Sequence, residues 1–338
     1  MAKTTKMKAG LYKGMLEAEI VEIDKPEIGP DDILVKPVRS SICGSDINGA
    51  GVEAGKQFGH ETAGWVVEVG KNVKDFKVGD RAWVHPIRAV SSIIYTCQVG
   101  GFSEFIKVLN ATEGQGAWHI PDELSWDDAS IIEPFGVGTH GKNRPGAKPG
   151  DNVVVYGAGS IGLFALCGLV AQGIKPVVVD IVLSDYKRAL LEKMGVIIAP
   201  LPEEGDKFEF LKELWGTVPQ RGYGEAINVD IVVEASGAPC IIDDFYRLCK
   251  PNSRLSVIAV HHKPVEVPLM RTMSTETVIM GSNGYDDADI NEVIDNLVSK
   301  RTVASELITH HFAFSELDAA LKKAADKSEA IKVVVDME

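Results

Sequence analysis

Asn152-Val153-Val154-Val155-Tyr156-Gly157-Ala158-Gly159-Ser160-Ile161-Gly162 runs from an apolar segment through three glycines into a helical pattern. Its first five residues form a continuous apolar run rich in valine, the pattern of a strand buried on both faces of a parallel sheet. The glycines then mark a tight turn, and from Ile161 to Gln172 apolar residues recur at helical spacing, with Gly173 placed to close the helix. Such a strand, turn and helix leave free N–H groups at the helix start, where a phosphate can bind. Gly157 allows the tight turn, Gly159 lets the backbone approach a pyrophosphate, and Gly162 lets helix and strand pack closely. The next strand, Pro176 to Val179, ends in Asp180, whose carboxylate can accept from both ribose hydroxyls and repels a 2′-phosphate. Gly157, Gly159, Ser160, Ile161, Gly162 and Asp180 are therefore the candidate dinucleotide contacts, with NAD favoured over NADP. Lys187 and Arg188 follow closely enough to reach a phosphate, but a solvated helix face is the simpler reading of both.

Working outward, strands at Val229 to Val233 and Arg254 to Val260 alternate with helical stretches, as a doubly wound sheet requires. Upstream the character differs. Ile33 to Val35, Trp65 to Val69 and Arg81 to Val84 are short β-rich runs, with a turn at Lys77 to Asp80, and these predict a small barrel. The tail reads as a helix from Ile290 to Val298, a strand from Ile308 to Phe314, a helix from Glu316 to Ala325 and a strand from Ile331 to Val335. The predicted organisation is a Rossmann-type domain over 146–285 and a second domain formed by 1–145 with 286–338.

A chain of 338 residues fits two domains of ordinary size. Its net charge of -13 and pI near 5.2 argue against a nucleic-acid partner, which needs clustered Lys and Arg. No apolar run reaches membrane-spanning length, and the basic start from Met1 to Lys8 leads into no hydrophobic signal region, so a cytoplasmic location without membrane partners is expected. Five cysteines, at 43, 97, 167, 240 and 249, do not form a disulfide pattern, and Cys167 reads as core filler.

Upstream of the dinucleotide turn lie Cys43, His60, Glu61 and Glu133. Singly, Cys43 reads as a buried thiol and His60 as a satisfied core histidine. Taken together, ahead of a nucleotide domain, they read as a metal site. Thiolate with imidazole favours zinc over magnesium or calcium.

Cys43-Gly44-Ser45-Asp46, Gly59-His60-Glu61-Thr62-Ala63-Gly64, Val78-Gly79-Asp80-Arg81-Ala82 and Gly100-Gly101-Phe102-Ser103-Glu104-Phe105 resemble, in order, the zinc-dependent medium-chain alcohol dehydrogenases. Glu133-Pro134 is similar to the sorbitol and threonine dehydrogenase branch. The resemblance implies an α/β chain with a GroES-like β-barrel catalytic domain and a Rossmann-type domain. It further implies one catalytic zinc held by Cys43, His60 and either Glu61 or Glu133, carboxylates that in the family exchange places with a water. One coordination position stays open for substrate. Ser45 matches the family hydroxyl that passes on the substrate's proton, although a helix-cap serine is its simpler reading. The implied activity is hydride transfer between NAD and a secondary hydroxyl of a small polar substrate such as a polyol, sugar, cyclitol or amino alcohol. Alternatives are a dehydrogenase or reductase of simple alcohols or aldehydes, and a dinucleotide-binding sensor without turnover. The resemblance also implies a homodimer or homotetramer.

The chain departs from the family in three places. Related enzymes carry four closely spaced cysteines for a structural zinc, whereas Pro86 to Gly100 holds only Cys97, so no structural zinc and a shortened lobe are expected. Asn48 stands where a relay histidine is expected and cannot ionise, which leaves water, a ribose hydroxyl or a group such as His85 for proton exit. Gly284 precedes Tyr285 where sorbitol dehydrogenases have arginine, which weakens polyol specificity. His140, His261 and His262 read as surface or structural residues, with the last two near the carboxyl edge of the sheet.

Overall fold

A computed structural model describes residues 5–89, 99–220 and 222–338. The chain divides into two compact units, Met1–Pro134 with Ser305–Glu338, and Phe135–Ala304.

The second unit is built on a six-stranded sheet in which Ile197–Ile198, Val177–Val179, Val153–Tyr156, Val229–Glu234, Cys249–Val257 and Val278–Gly281 lie side by side in that order. Every neighbouring pair is parallel. The chain starts in the middle, winds to one edge, then returns and winds to the other, which places a topological switch between Val153–Tyr156 and Val229–Glu234. The run that reads as doubly buried is so, with Val153, Val154 and Val155 all inaccessible, and Val154 shares a core with Val177, Val232, Leu255 and with Phe245 and Leu248 of the helix Ile241–Leu248.

The compact units divide between Pro134 and Phe135, inside the helix Ile132–Asn143, and after Ala304, beside the limits of 146 and 285 read from the sequence. Side-chain packing explains both positions. Phe135 stacks on Phe164 at 5.4 Å, and His140 and Asn143 bind Asp289 at the start of the helix Asp287–Val298. Periodicity reveals that these helices exist, but not which core their apolar faces join.

In the first unit the strand Ile33–Ser41 pairs antiparallel with Glu61–Val69, Ile106–Val108 and Lys332–Asp336. Arg81–Val84 and Ala117–His119 extend the sheet beyond Glu61–Val69, and Ile308–Ala313 runs parallel to Lys332–Asp336. One core gathers Ile33, Val35, Val66, Val84, Ile106 and Val108, and another Phe58, Phe102, Leu317, Leu321 and Val333. The strand register sets the surroundings of residues 60 and 61. Ser41 lies opposite Glu61 on one side and Val334 on the other, so the last strand is brought beside them.

Candidate functional site

Each unit carries one chemically equipped constellation. In the first, Cys43 sits at the N-cap of the short helix Gly44–Asn48, where its N–H donates to Asp46 Oδ2 at 2.8 Å and its carbonyl accepts the Asp46 N–H at 3.1 Å. This capping box fixes the thiol's backbone. His60 and Glu61 enter the strand Glu61–Val69 through Gly59, whose φ of +90° is left-handed and whose Cβ, if present, would lie 2.7 Å from the Phe102 ring. Only glycine fits that approach.

Donor atoms of Cys43, His60 and Glu61 all lie within 4.8 Å of one another. His60 and Glu61 are buried, and three polar atoms around them have no hydrogen-bond partner: His60 Nδ1, Glu61 Oε1 and Asp46 Oδ1. His60 Nδ1 and Asp46 Oδ1 are 3.7 Å apart, beyond hydrogen-bond reach. Buried polar atoms are rarely left unpaired, and a cluster with these donors could hold a metal ion.

Charge is balanced from the far end of the chain. Lys332, itself buried, forms an ion pair with Glu61 Oε2, which the Ser41 hydroxyl also meets, and Lys332 Nζ donates to the Ile42 carbonyl at 3.0 Å. Burial disfavours the ammonium, but Glu61, with Cys43 and Glu133, holds its pKa above the usual lysine value. Burial likewise disfavours charge on His60, which Cys43 and Asp46 overcome, raising its pKa well above the ordinary value. Glu133, in the first turn of Ile132–Asn143, is buried within electrostatic range of the cluster but outside the group that closes to 4.8 Å. Burial pushes its carboxyl up to about 7, with Glu61 and Asp46 adding to the effect and His60 and Lys332 opposing it.

Ser45 lies in the helix that Cys43 caps, half-buried, its carbonyl accepting the Gly49 N–H at 2.9 Å. The Asn48 side chain accepts the Ala50 N–H at 2.9 Å and so serves the turn after that helix. The structure adds Lys332, Asp46 and Ser41 to the residues that sequence reasoning singles out. A lone lysine inside the apolar run Ile331 to Val335 is the one local signal that points to Lys332, since a charge on a buried strand needs a partner.

In the second unit the three glycines have three distinct geometries. Gly157 has φ +99° and a Cβ there would lie 2.9 Å from the Ala235 backbone; a Cβ on Gly162 would lie 1.9 Å from the Gly157 carbonyl oxygen. Gly159, the N-cap of the helix Ser160–Ala171, faces open space, with no atom within 4 Å of where a Cβ would be. Ser160 and Ile161 open that helix. Asp180 Oδ2 accepts the Ala158 N–H at 2.5 Å, and Oδ1 accepts those of Ile181 and Val182 at 2.6 and 3.0 Å. Arg188 is paired with Glu204 at 2.7 Å, and Lys187 is buried, so neither stands as a free surface cation.

The other histidines have structural partners or face solvent. His85 is buried between Trp83 and Trp118, with ring centroids 5.6 and 5.4 Å away, and its Nδ1 accepts the Ile87 N–H at 3.2 Å. His140 bonds Asp289 at 2.6 Å and with Asp286 and Asp289 forms a second close group of donors. Asp289 also accepts from Asn143 and from the Asp286 N–H, which makes that group a clamp between helices. His261 bonds Glu234, and His262 is exposed. Cys97 and the segment 90–98 lie outside the described residues; the described cysteines, Cys43, Cys167, Cys240 and Cys249, form no disulfide. Among the described residues no helix is long and apolar enough to cross a membrane.

Two family models match the chain, the alcohol dehydrogenase GroES-like domain over residues 29–122 and the zinc-binding dehydrogenase over 160–299. The sorbitol dehydrogenase of Bacillus subtilis is 28% identical over 355 residues, covering 97% of each chain. The L-threonine 3-dehydrogenase of Vibrio parahaemolyticus is 26% identical over 321 residues, covering 88% of this chain and 89% of its own. Among solved structures, an alcohol dehydrogenase of Escherichia coli CFT073 complexed with NADH superposes with a TM-score of 0.84 at 25% identity, over 98% of this chain and 99% of that one. The two models together span more than half of the sequence in the order its motifs implied, and the chain belongs to the zinc-dependent medium-chain alcohol dehydrogenases, oxidoreductases of alcohol groups that work with zinc and NAD(H).

Proposed function

We propose that Cys43, His60 and a carboxylate of Glu61 or Glu133 hold one catalytic zinc, that the Gly157–Gly162 turn with Asp180 holds NAD, and that the substrate is a small polar molecule oxidised at a secondary hydroxyl. The observation that carries this reading is the convergence of thiol, imidazole and carboxylate to within 4.8 Å around buried atoms that lack partners. That donor set suits zinc, and the open space at Gly159 suits a pyrophosphate. When bound, zinc supplies Lewis acidity that lowers the pKa of a hydroxyl, and the nicotinamide accepts hydride.

The chain's own residues do the rest. Cys43 enters as thiolate, since a coordinating thiol is deprotonated. Asp46, beside His60 Nδ1, orients the imidazole once that ring is drawn toward a cation. Glu61 has one oxygen held by Lys332 and Ser41 and the other free, so it can offer a single donor without losing its anchor. Glu133, with a pKa near 7, gives up its proton when positive charge enters, which suits the alternate ligand. Ser45, in the helix that Cys43 caps, takes the substrate's proton, and because Asn48 cannot ionise the proton leaves to water, a ribose hydroxyl or another group such as His85.

Asp180, tied to the turn by the Ala158 N–H, and Arg188, engaged by Glu204, support NAD over NADP. Exposed Leu269, Met270 and Met273, just before the sheet's edge strand Val278–Gly281, support assembly as a homodimer or homotetramer through that edge. Reduced thiols at Cys43, Cys240 and Cys249 suit the cytoplasm.

The test is metal analysis of the purified chain combined with NAD reduction on polyols, cyclitols, amino alcohols and simple alcohols. About one zinc per chain, and turnover on a polar secondary alcohol, is the expected outcome. Absence of zinc with intact NADH binding would sink the metal mechanism, and turnover confined to simple primary alcohols would sink the substrate class.

A further inference from the structure

At the carboxyl edge of the parallel sheet two residues remain that the proposed reaction does not use. Glu234 ends the strand Val229–Glu234 and is fully buried. Its Oε1 accepts the N–H groups of Ser236 and Gly237, each at 2.7 Å, and the Ser236 hydroxyl at 2.6 Å. Its Oε2 lies 2.9 Å from His261 Nε2. His261 comes after the neighbouring strand Cys249–Val257, and the two post-strand loops touch, since a Cβ on Gly237 would lie 3.2 Å from the Val260 carbonyl.

This arrangement settles the imidazole's chemistry. A carboxylate can only accept, so the ring nitrogen facing it carries the proton and in the neutral ring Nδ1 is left as an acceptor. Nδ1 has no hydrogen-bond partner among the described residues, and the side chain keeps 18% of its exposure. A buried acid is thus holding an outward-facing acceptor in one orientation.

Its place in the sheet says what it faces. Asp180 ends the strand on one side of the glycine turn, while Glu234 and His261 come at the ends of the two strands on the other side. The backbone of Ala235, next to Glu234, lies against Gly157 itself. A dinucleotide extends to either side of its pyrophosphate, so if Asp180 takes the adenosine ribose, the second ribose falls toward Ser236 and His261.

Resting on the NAD reading above, we propose that His261 is a coenzyme-binding residue whose Nδ1 accepts a hydrogen bond from a hydroxyl of the nicotinamide ribose, and that Glu234 is the positioning residue that fixes its tautomer. The adjacent His262, exposed and outside this pairing, is the internal control.

The experiment titrates the full-length protein with AMP, ADP-ribose and NADH by calorimetry, without turnover. His261→Ala is expected to weaken ADP-ribose and NADH about fivefold to tenfold, the scale of one hydrogen bond, and to leave AMP unchanged. His261→Asn, which keeps a polar group near Nδ1, restores part of the loss, and His262→Ala changes nothing. Glu234→Gln lowers ADP-ribose affinity in wild type but not in the His261→Ala background, a coupling that a purely structural role of Glu234 would not produce. Unchanged ADP-ribose affinity in His261→Ala, or an equal loss for AMP, overturns the proposal. A wild-type protein that binds none of the three ligands overturns the NAD reading itself, and is distinguished by failing before any substitution is made.

Discussion

The glycine turn of the second unit and the donor cluster of the first differ in how far apart along the chain their parts lie and in which atoms they use. The turn is contiguous from Gly157 to Gly162, built from backbone N–H groups and from the absence of side chains. The cluster draws on residues at 43, 46, 60, 61, 133 and 332, and depends on side-chain charge in a buried setting. A site made of backbone tolerates changes in surrounding side chains and fails when a Cβ intrudes. A site made of buried charges fails when any member leaves the rest uncompensated.

The largest expected effect is at the thiol. Cys43→Ser is expected to strip zinc and reduce turnover at least about a thousandfold, while NADH binding stays within about twofold, because the proposed metal and coenzyme sites share no residue. Metal analysis alongside an NADH titration checks it, and a fully active Cys43→Ser protein ends the zinc mechanism. Next comes Lys332→Met, which leaves Glu61 buried without its cation and is expected to cost about 3–5 kcal/mol of stability in urea unfolding of the zinc-free protein. Adding Glu61→Gln recovers a large part of that loss; if the single variant unfolds like wild type, the ion pair does not support the fold.

A pH measurement sharpens the contrast further. An acid whose pKa is raised in the folded state keeps its proton where the unfolded chain has lost it, so its contribution is full below the ordinary 4.5 and is lost as pH rises through about 7. Zinc-free wild type is therefore expected to lose about 2–3 kcal/mol more stability over that interval than Glu133→Gln does. Parallel pH profiles for the two proteins would contradict the buried placement of Glu133. The smallest effect belongs to the backbone site: Asp180→Ala is expected to raise the NADP-to-NAD ratio of kcat/KM about tenfold to a hundredfold, read from initial rates, since it removes the repulsion but leaves the glycine turn.

The same contrast explains what a sequence can disclose. The turn is legible because its physics is local: three glycines and the end of one strand set the geometry on which the proposed coenzyme site rests. The donors Cys43, His60 and Glu61 are legible through their resemblance to a family and the structure brings them together, whereas Glu133 is buried nearby but outside the closest group. Lys332 escapes such a reading, because its partner lies across a sheet whose register only the folded chain defines. Asp46 stands within a recognisable motif, yet its contact to Cys43 is visible only in the fold. The limits of the compact units differ from a reading of periodicity for a related reason, since periodicity shows an apolar face but not the core that receives it.

Every residue of the second unit lies between Glu61 and Lys332 along the chain, so their ion pair closes only after that unit has been synthesised. Until that point Glu61 lacks the ammonium that balances it in the folded protein. Completion of that ion pair therefore waits on translation of the second unit, although Glu61 itself emerges early.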